Sequence, residues 1–272
     1  MRKLSRRSVL LTGLAGLAGV GGVCGLAEAD VIPGRHRLAP YLGECGETPA
    51  LPRVQPGSVY EAWFTAASQS GTARAVIGLP PGDAEGLPVV VLLHGSGENA
   101  RTPFDVHGVH YYLADAVKRG TPPFALVSID QWSTPAGMPS PILQSDLLPF
   151  LARRGMPVGR FGVLGWSRGG RGALWFAASS APGRIAAVAA VSPALSRSDL
   201  TPLSTNLAGI PASLTCGRDD AFADSTRDLL ARLRATRRAD VSGGITPGCH
   251  DAAFRRRMLP AQLSFVGRHL AE

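Results

Sequence analysis

Apolar residues in this chain gather in short unbroken runs rather than in an in-out alternation. The runs are Val59 to Phe64, Ala73 to Leu79, Pro88 to Leu93, Ala125 to Ile129, Phe161 to Leu164, Ile185 to Val191, Ala212 to Thr215 and Val241 to Ile245. Runs of roughly four to seven residues have strand length. Between the later ones lie longer stretches with apolar residues three and four apart: His110 to Arg119, Ile142 to Arg154, Gly169 to Ala178, Ser225 to Arg237 and Leu259 to Leu270. That spacing puts the apolar side chains on one face of a helix. Strands that are apolar throughout and alternate with amphipathic helices predict an α/β fold, a mostly parallel sheet with helices on both faces. In such a sheet reactive groups collect beyond the carboxyl ends of the strands, so the polar residues that follow each run are the informative ones.

The ends of the pattern differ from its middle. Met1 to Arg7 is basic, Ser8 to Leu26 is apolar and Gly-rich, and Ala27-Glu28-Ala29 closes the stretch with small residues at a signal-peptidase spacing. This predicts a cleaved leader over 1–29. Its Ser5-Arg6-Arg7-Ser8-Val9-Leu10 core is of twin-arginine type, with Val9 where that signal usually carries Phe. Leu10 to Leu26 is close to the shortest span of a bilayer, but its glycines make a poor anchor. A lipid anchor on Cys24 is disfavoured because Val23 stands where a small residue is expected. The destination is therefore secreted or in the cell envelope, with peripheral contact with the envelope left open. Residues 30–55 are rich in Pro, Gly and charge and read as an irregular arm lying over a single domain that spans 56–272.

A chain of 272 residues that is 45% hydrophobic can bury one large core. Loss of the leader removes Arg2, Lys3, Arg6, Arg7 and Glu28, so the formal charge of +8 falls to about +5. The remaining arginines are scattered, with Arg255-Arg256-Arg257 the one run, and no nucleic-acid stripe results. Three cysteines stay with the domain, Cys45, Cys216 and Cys249, which permits one disulfide of open pairing and leaves one thiol. None has the C-x-x-C spacing of a zinc or redox site.

The chemistry sits where the pattern puts it. After the run ending at Leu164 comes Gly165-Trp166-Ser167-Arg168-Gly169-Gly170, a G-x-S-x-G sequence at a strand-to-helix junction. A serine hydroxyl needs an imidazole to take its proton and a carboxylate to orient that imidazole. Cys216-Gly217-Arg218-Asp219-Asp220-Ala221-Phe222 follows a later run, and Pro247-Gly248-Cys249-His250-Asp251 follows the last. Of the six histidines only His250 has that position; His36 lies in the arm, His94 in an early loop, His107 and His110 near a helix start and His269 in the terminal helix. Asp220 is preferred to Asp219 as the acid because Ala221-Phe222 would pack its loop inward, and Asp219 stays open. The oxyanion of acyl transfer needs two amide donors. Arg168, after the nucleophile, would supply one, and Ser96 in His94-Gly95-Ser96-Gly97 the other, with His94 a packing residue.

These motifs, with Leu93-His94-Gly95-Ser96-Gly97, resemble the esterase branch of the α/β-hydrolases, which includes esterase D (S-formylglutathione hydrolase) and secreted mycolyltransferases; the resemblance covers roughly residues 59–270. It implies a Ser-His-Asp triad, no cofactor, and acyl transfer from a small-molecule or lipid ester or thioester to water, or to a sugar or lipid alcohol. A non-catalytic binding protein on the same scaffold is the rival from another class. Two features depart from that branch. Arg168 stands where Met or Gln is common, a cation that would favour acidic or phosphate-bearing substrates. Only about 19 residues separate Val191 from Pro211, too few for a large lid, so an open cleft with little or no lid domain is expected. Oligomeric state is not legible.

Overall fold

The computed structural model describes residues 45–272. The leader, the twin-arginine sequence, Cys24, His36 and most of the arm lie outside the described residues.

Eight strands form one sheet in the order β1-β2-β4-β3-β5-β6-β7-β8. β1 (Val59–Ala66) and β2 (Gly71–Gly78) make an antiparallel hairpin, and β2 runs antiparallel to β4 (Ala125–Ile129). From there β4, β3 (Val89–Leu93), β5 (Phe161–Trp166), β6 (Ile185–Val191), β7 (Ala212–Gly217) and β8 (Val241–Thr246) are all parallel. The mostly parallel sheet expected from the runs is present. β8 is an edge strand, and its residues are exposed or half-buried where those of β3 to β7 are buried.

The apolar-throughout character of the strands has its cause in two cores. Val89, Val91 and Leu93 point into one and Val90 and Leu92 into the other, as successive side chains must. The first core is closed by α3 (Leu148–Arg153, entered through a π-helical turn at Leu143–Leu147), α4 (Arg168–Ser179), α5 (Arg197–Asn206) and α6 (Ala223–Thr236). The second is closed by the short α1 (Thr102–Asp105), α2 (Val109–Lys118) and α7 (Ala252–Leu270). No helix among the described residues is long and apolar enough to cross a membrane.

The structure corrects one local expectation, the start of the terminal helix, and supplies two details that the sequence left open. The terminal helix starts at Ala252 rather than Leu259, because the Asp251 side chain accepts from the Phe254 amide at 2.7 Å and caps it. The arginine run thereby becomes part of that helix, and its charges are engaged. Arg255 pairs with Glu98 at 2.9 Å, Arg256 donates to the Val106 carbonyl, and Arg257 donates to the carbonyls of Glu47 and Cys45. The span between β6 and β7 holds α5, which was not anticipated; a capping box of Ser196 and Asp199 starts it. Cys45 and Cys249 form the disulfide, 204 residues apart in sequence, and Cys216 is the buried free thiol.

Candidate active site

Ser167 lies between β5 and α4 with φ 54° and ψ −126°, in a left-handed region that costs a non-glycine residue about 1–3 kcal/mol. Neighbouring glycines make this geometry possible. A Cβ on Gly165 would stand 2.3 Å from the Gly169 carbonyl oxygen, and one on Gly169 would stand 2.0 Å from the Leu93 oxygen. The first helical turn of α4 can therefore press against β5 and β3 and thrust the Ser167 side chain out at the strand ends.

His250 reaches Ser167 from the loop between β8 and α7. Its Nε2 is 2.9 Å from Ser167 Oγ, and its Nδ1 donates to Asp220 Oδ2 at 2.8 Å. Asp220 is held in the turn between β7 and α6, where its Oδ1 accepts from the Phe222 amide at 2.9 Å. Its carboxylate is fully buried while the His250 side chain is about a third exposed. Burial would raise the Asp220 carboxyl, but the hydrogen bond and charge of His250, with the Phe222 amide, outweigh it and hold it below the usual carboxylate value. Phe222 packs edge-on against the His250 ring at 5.4 Å. Asp219 is buried as well, and its amide donates to the Gly248 carbonyl at 3.0 Å. Of the two adjacent aspartates it is Asp220 that meets the imidazole.

Ser96 is exposed on the loop after β3 and lines a cleft with Arg168. The amide of the preceding Gly95 is turned away, donating to Glu98 Oε2 at 2.8 Å. His94 is buried, its Nδ1 against the Gly95 carbonyl at 3.0 Å and its ring edge-on to Trp132, and burial lowers its pKa. It packs the loop.

One residue of the site was not anticipated. Glu98 accepts at once from the Gly95 amide, from Trp166 Nε1 at 2.7 Å and from Arg255 at 2.9 Å, and meets His107 Nε2 at 3.1 Å. Burial opposes its ionisation, yet the His107, Trp166 and Gly95 hydrogen bonds and the Arg255 charge bring its pKa down to about 2. A single carboxylate thus joins the Ser96 loop, the residue before Ser167 and the helix after His250. The sequence signal for it was weak: one Glu three residues past Gly95, in a loop read for its glycines.

Among the described residues the one grouping of metal-type donors is Cys45, Cys249 and Asp251. Its thiols are joined in the disulfide and its carboxylate caps α7, so it is not a metal centre.

No family model matches the chain, and no curated protein matches it by sequence. Its fold is shared widely among solved structures. A ferulic acid esterase superposes with a TM-score of 0.68 at 19% identity over 79% of this chain and 100% of that one. The feruloyl esterase module from Clostridium thermocellum, complexed with sinapinate, gives 0.68 at 14% over 84% and 95%. The enterochelin esterase from Shigella flexneri gives 0.66 at 21% over 80% of this chain and 61% of its own. The chain has the α/β-hydrolase fold, with Ser167 at the turn between the central strand β5 and α4.

Proposed function

We propose that this protein is a serine ester hydrolase acting through a covalent acyl-enzyme. The observation that carries the reading is the unbroken chain Ser167 Oγ, His250, Asp220, with links of 2.9 and 2.8 Å, at the carboxyl ends of parallel strands. Ser167 Oγ attacks the ester carbonyl carbon and its proton passes to His250 Nε2. The amides of Ser96 and Arg168 hold the negative oxygen of the tetrahedral adduct. Collapse breaks the bond to the alkoxy oxygen, which leaves with the proton from His250. A water then repeats the sequence on the acyl-enzyme, giving a carboxylic acid and free Ser167. Asp220 keeps Nδ1 protonated and offsets the charge that His250 acquires.

Substrates are small-molecule esters, a class supported by structural likeness to proteins described as feruloyl and enterochelin esterases. Hydrolysis is preferred to transfer onto an alcohol because the cleft is open and, among the described residues, no lid covers it to shield the acyl-enzyme from water. Export through the 1–29 leader is part of the same reading. The Cys45–Cys249 disulfide supports it, since such bonds persist in oxidising compartments.

A fluorophosphonate probe should label the wild type stoichiometrically at Ser167, and Ser167→Ala should lose labelling and ester turnover while melting close to wild type. Residual turnover above about a thousandth of wild type would defeat the assignment, since the hydroxyl is the sole covalent nucleophile.

A further inference from the structure

The cleft beside Ser167 holds two arginines and neutralises one of them. It encloses about 440 Å³, with Ser96 on one side, the turn Pro135 to Gly137 on the other, and Arg168 and Arg171 between. Arg171 makes a two-pronged ion pair with Asp199 at 2.9 and 2.8 Å. Burial works against ionisation of Asp199, but Arg171, Ser196 and Trp175 hold its carboxyl at about 2, so that pair is closed at any ordinary pH.

Arg168 is different. Its Nη2 donates to the Thr134 carbonyl at 3.0 Å and its guanidinium carbon lies 5.7 Å from the Trp132 ring. Among the described residues no carboxylate lies within ion-pair distance of it. An arginine carries five N–H donors, and one is used here. Trp132 is buried, and its ring together with the Thr134 carbonyl positions the guanidinium in the cleft. The positive end of α4 adds to the same field. A fixed, half-buried cation with open donors, in a cleft without a free acid, is complementary to an anion.

We propose that Arg168 is a specificity-determining residue, and that the substrates are esters bearing a carboxylate or phosphate group, which the guanidinium grips while the amide of the same residue faces the reacting carbonyl. The proposal rests on the reading of Ser167 as an ester-cleaving nucleophile. A purely structural Arg168 would pin the Thr134 turn and treat charged and uncharged esters alike.

Two matched ester pairs test this. 4-Nitrophenyl hydrogen adipate and its methyl ester differ by a carboxylate on the acyl side, and 4-acetoxybenzoate and its methyl ester differ by one on the leaving-group side. Wild type should favour the anionic member of one pair by about tenfold in kcat/KM, expressed through KM, with the preference shrinking in high salt. Arg168→Gln should reduce that anionic-to-neutral ratio about tenfold, whatever it does to turnover as a whole, and Arg168→Lys should keep part of it. The pair that responds tells which side of the ester carries the charge. An unchanged ratio in Arg168→Gln, or a wild type that favours the methyl ester in both pairs, overturns the proposal. If no ester is turned over and no fluorophosphonate is bound, the hydrolase reading has failed instead. NMR titration of 4-hydroxybenzoate and monomethyl adipate then decides the anion site. Saturable binding weakened about tenfold by Arg168→Gln upholds it, and no saturable binding rejects it.

Discussion

At the scale of single residues the sharpest contrast is between two neighbours. Asp220 and Asp219 are both buried, but Asp220 Oδ2 accepts the Nδ1–H of His250, whereas the Asp219 amide donates to the Gly248 carbonyl after β8. Asp220→Asn should lower kcat by about a thousandfold or more, because an amide in that place favours the wrong imidazole tautomer. Asp219→Asn should stay within about tenfold of wild type. The pH profile distinguishes the cause. The Asp220 carboxyl lies below its ordinary value, so it loses its charge only at lower pH than an ordinary carboxylate would. The basic form of His250 should govern the acid limb of kcat/KM in wild type and in Asp219→Asn alike. A crippled Asp219→Asn beside a near-normal Asp220→Asn would reverse the assignment.

At the scale of elements, Glu98 determines how three segments meet. Its carboxylate accepts from the Gly95 amide next to Ser96, while it also holds the end of β5 through Trp166 and the first turns of α7 through Arg255. Glu98→Gln retains the shape but turns an NH2 group toward Arg255 or His107. Expected is a fall in kcat of about tenfold to a hundredfold with KM nearly constant, and an equally slowed reaction of Ser167 with a fluorophosphonate. A merely structural loss would lower the melting point and leave the folded fraction's rate intact. The stability effect carries its own pH signature. Glu98 falls from 4.5 to about 2 on folding, so its contribution of about 3 kcal/mol is present above about pH 4.5 and fades as pH drops through about 2. Chemical denaturation of wild type and Glu98→Gln should differ by that amount at neutral pH and converge in strong acid. A gap that persisted undiminished near pH 2 would exclude the charged network as its source.

For the molecule as a whole, the disulfide ties the arm to the histidine loop, since Cys249 precedes His250 and Cys45 belongs to the arm. Arg257 reinforces the junction by donating to the Cys45 and Glu47 carbonyls. This bond supports the proposed export, since disulfides persist in oxidising compartments. Replacing Arg6 and Arg7 by Lys in the full chain should leave precursor in the cell interior, detected by fractionation and by mass, if the leader is of the twin-arginine kind. Undiminished export of that variant would assign the leader to the general secretory route.

The same division of scales explains what was legible in the chain alone. Strand and helix order follows from periodicity, a local property, and with it the fact that Ser167, Asp219-Asp220 and His250 each come just after a strand. Ser167 needed little more, because the glycines around it announce a backbone that only a tight strand-to-helix turn requires. The choice between Asp219 and Asp220 was not local: adjacent residues in a turn send their side chains in different directions, and only the folded backbone says which one faces the imidazole. Glu98 was hidden for a stronger reason, since its partners lie at positions 95, 107, 166 and 255 and no window of sequence holds them together. The pairing of Cys45 with Cys249 and the ion pair that separates Arg171 from Arg168 belong to the same kind. Composition and periodicity determined the layers of this protein and the strand ends at which chemistry gathers. Tertiary structure decided which charges are paired and which face the cleft, because charge pairing depends on distances of about 3 Å between segments that the chain order leaves unrelated.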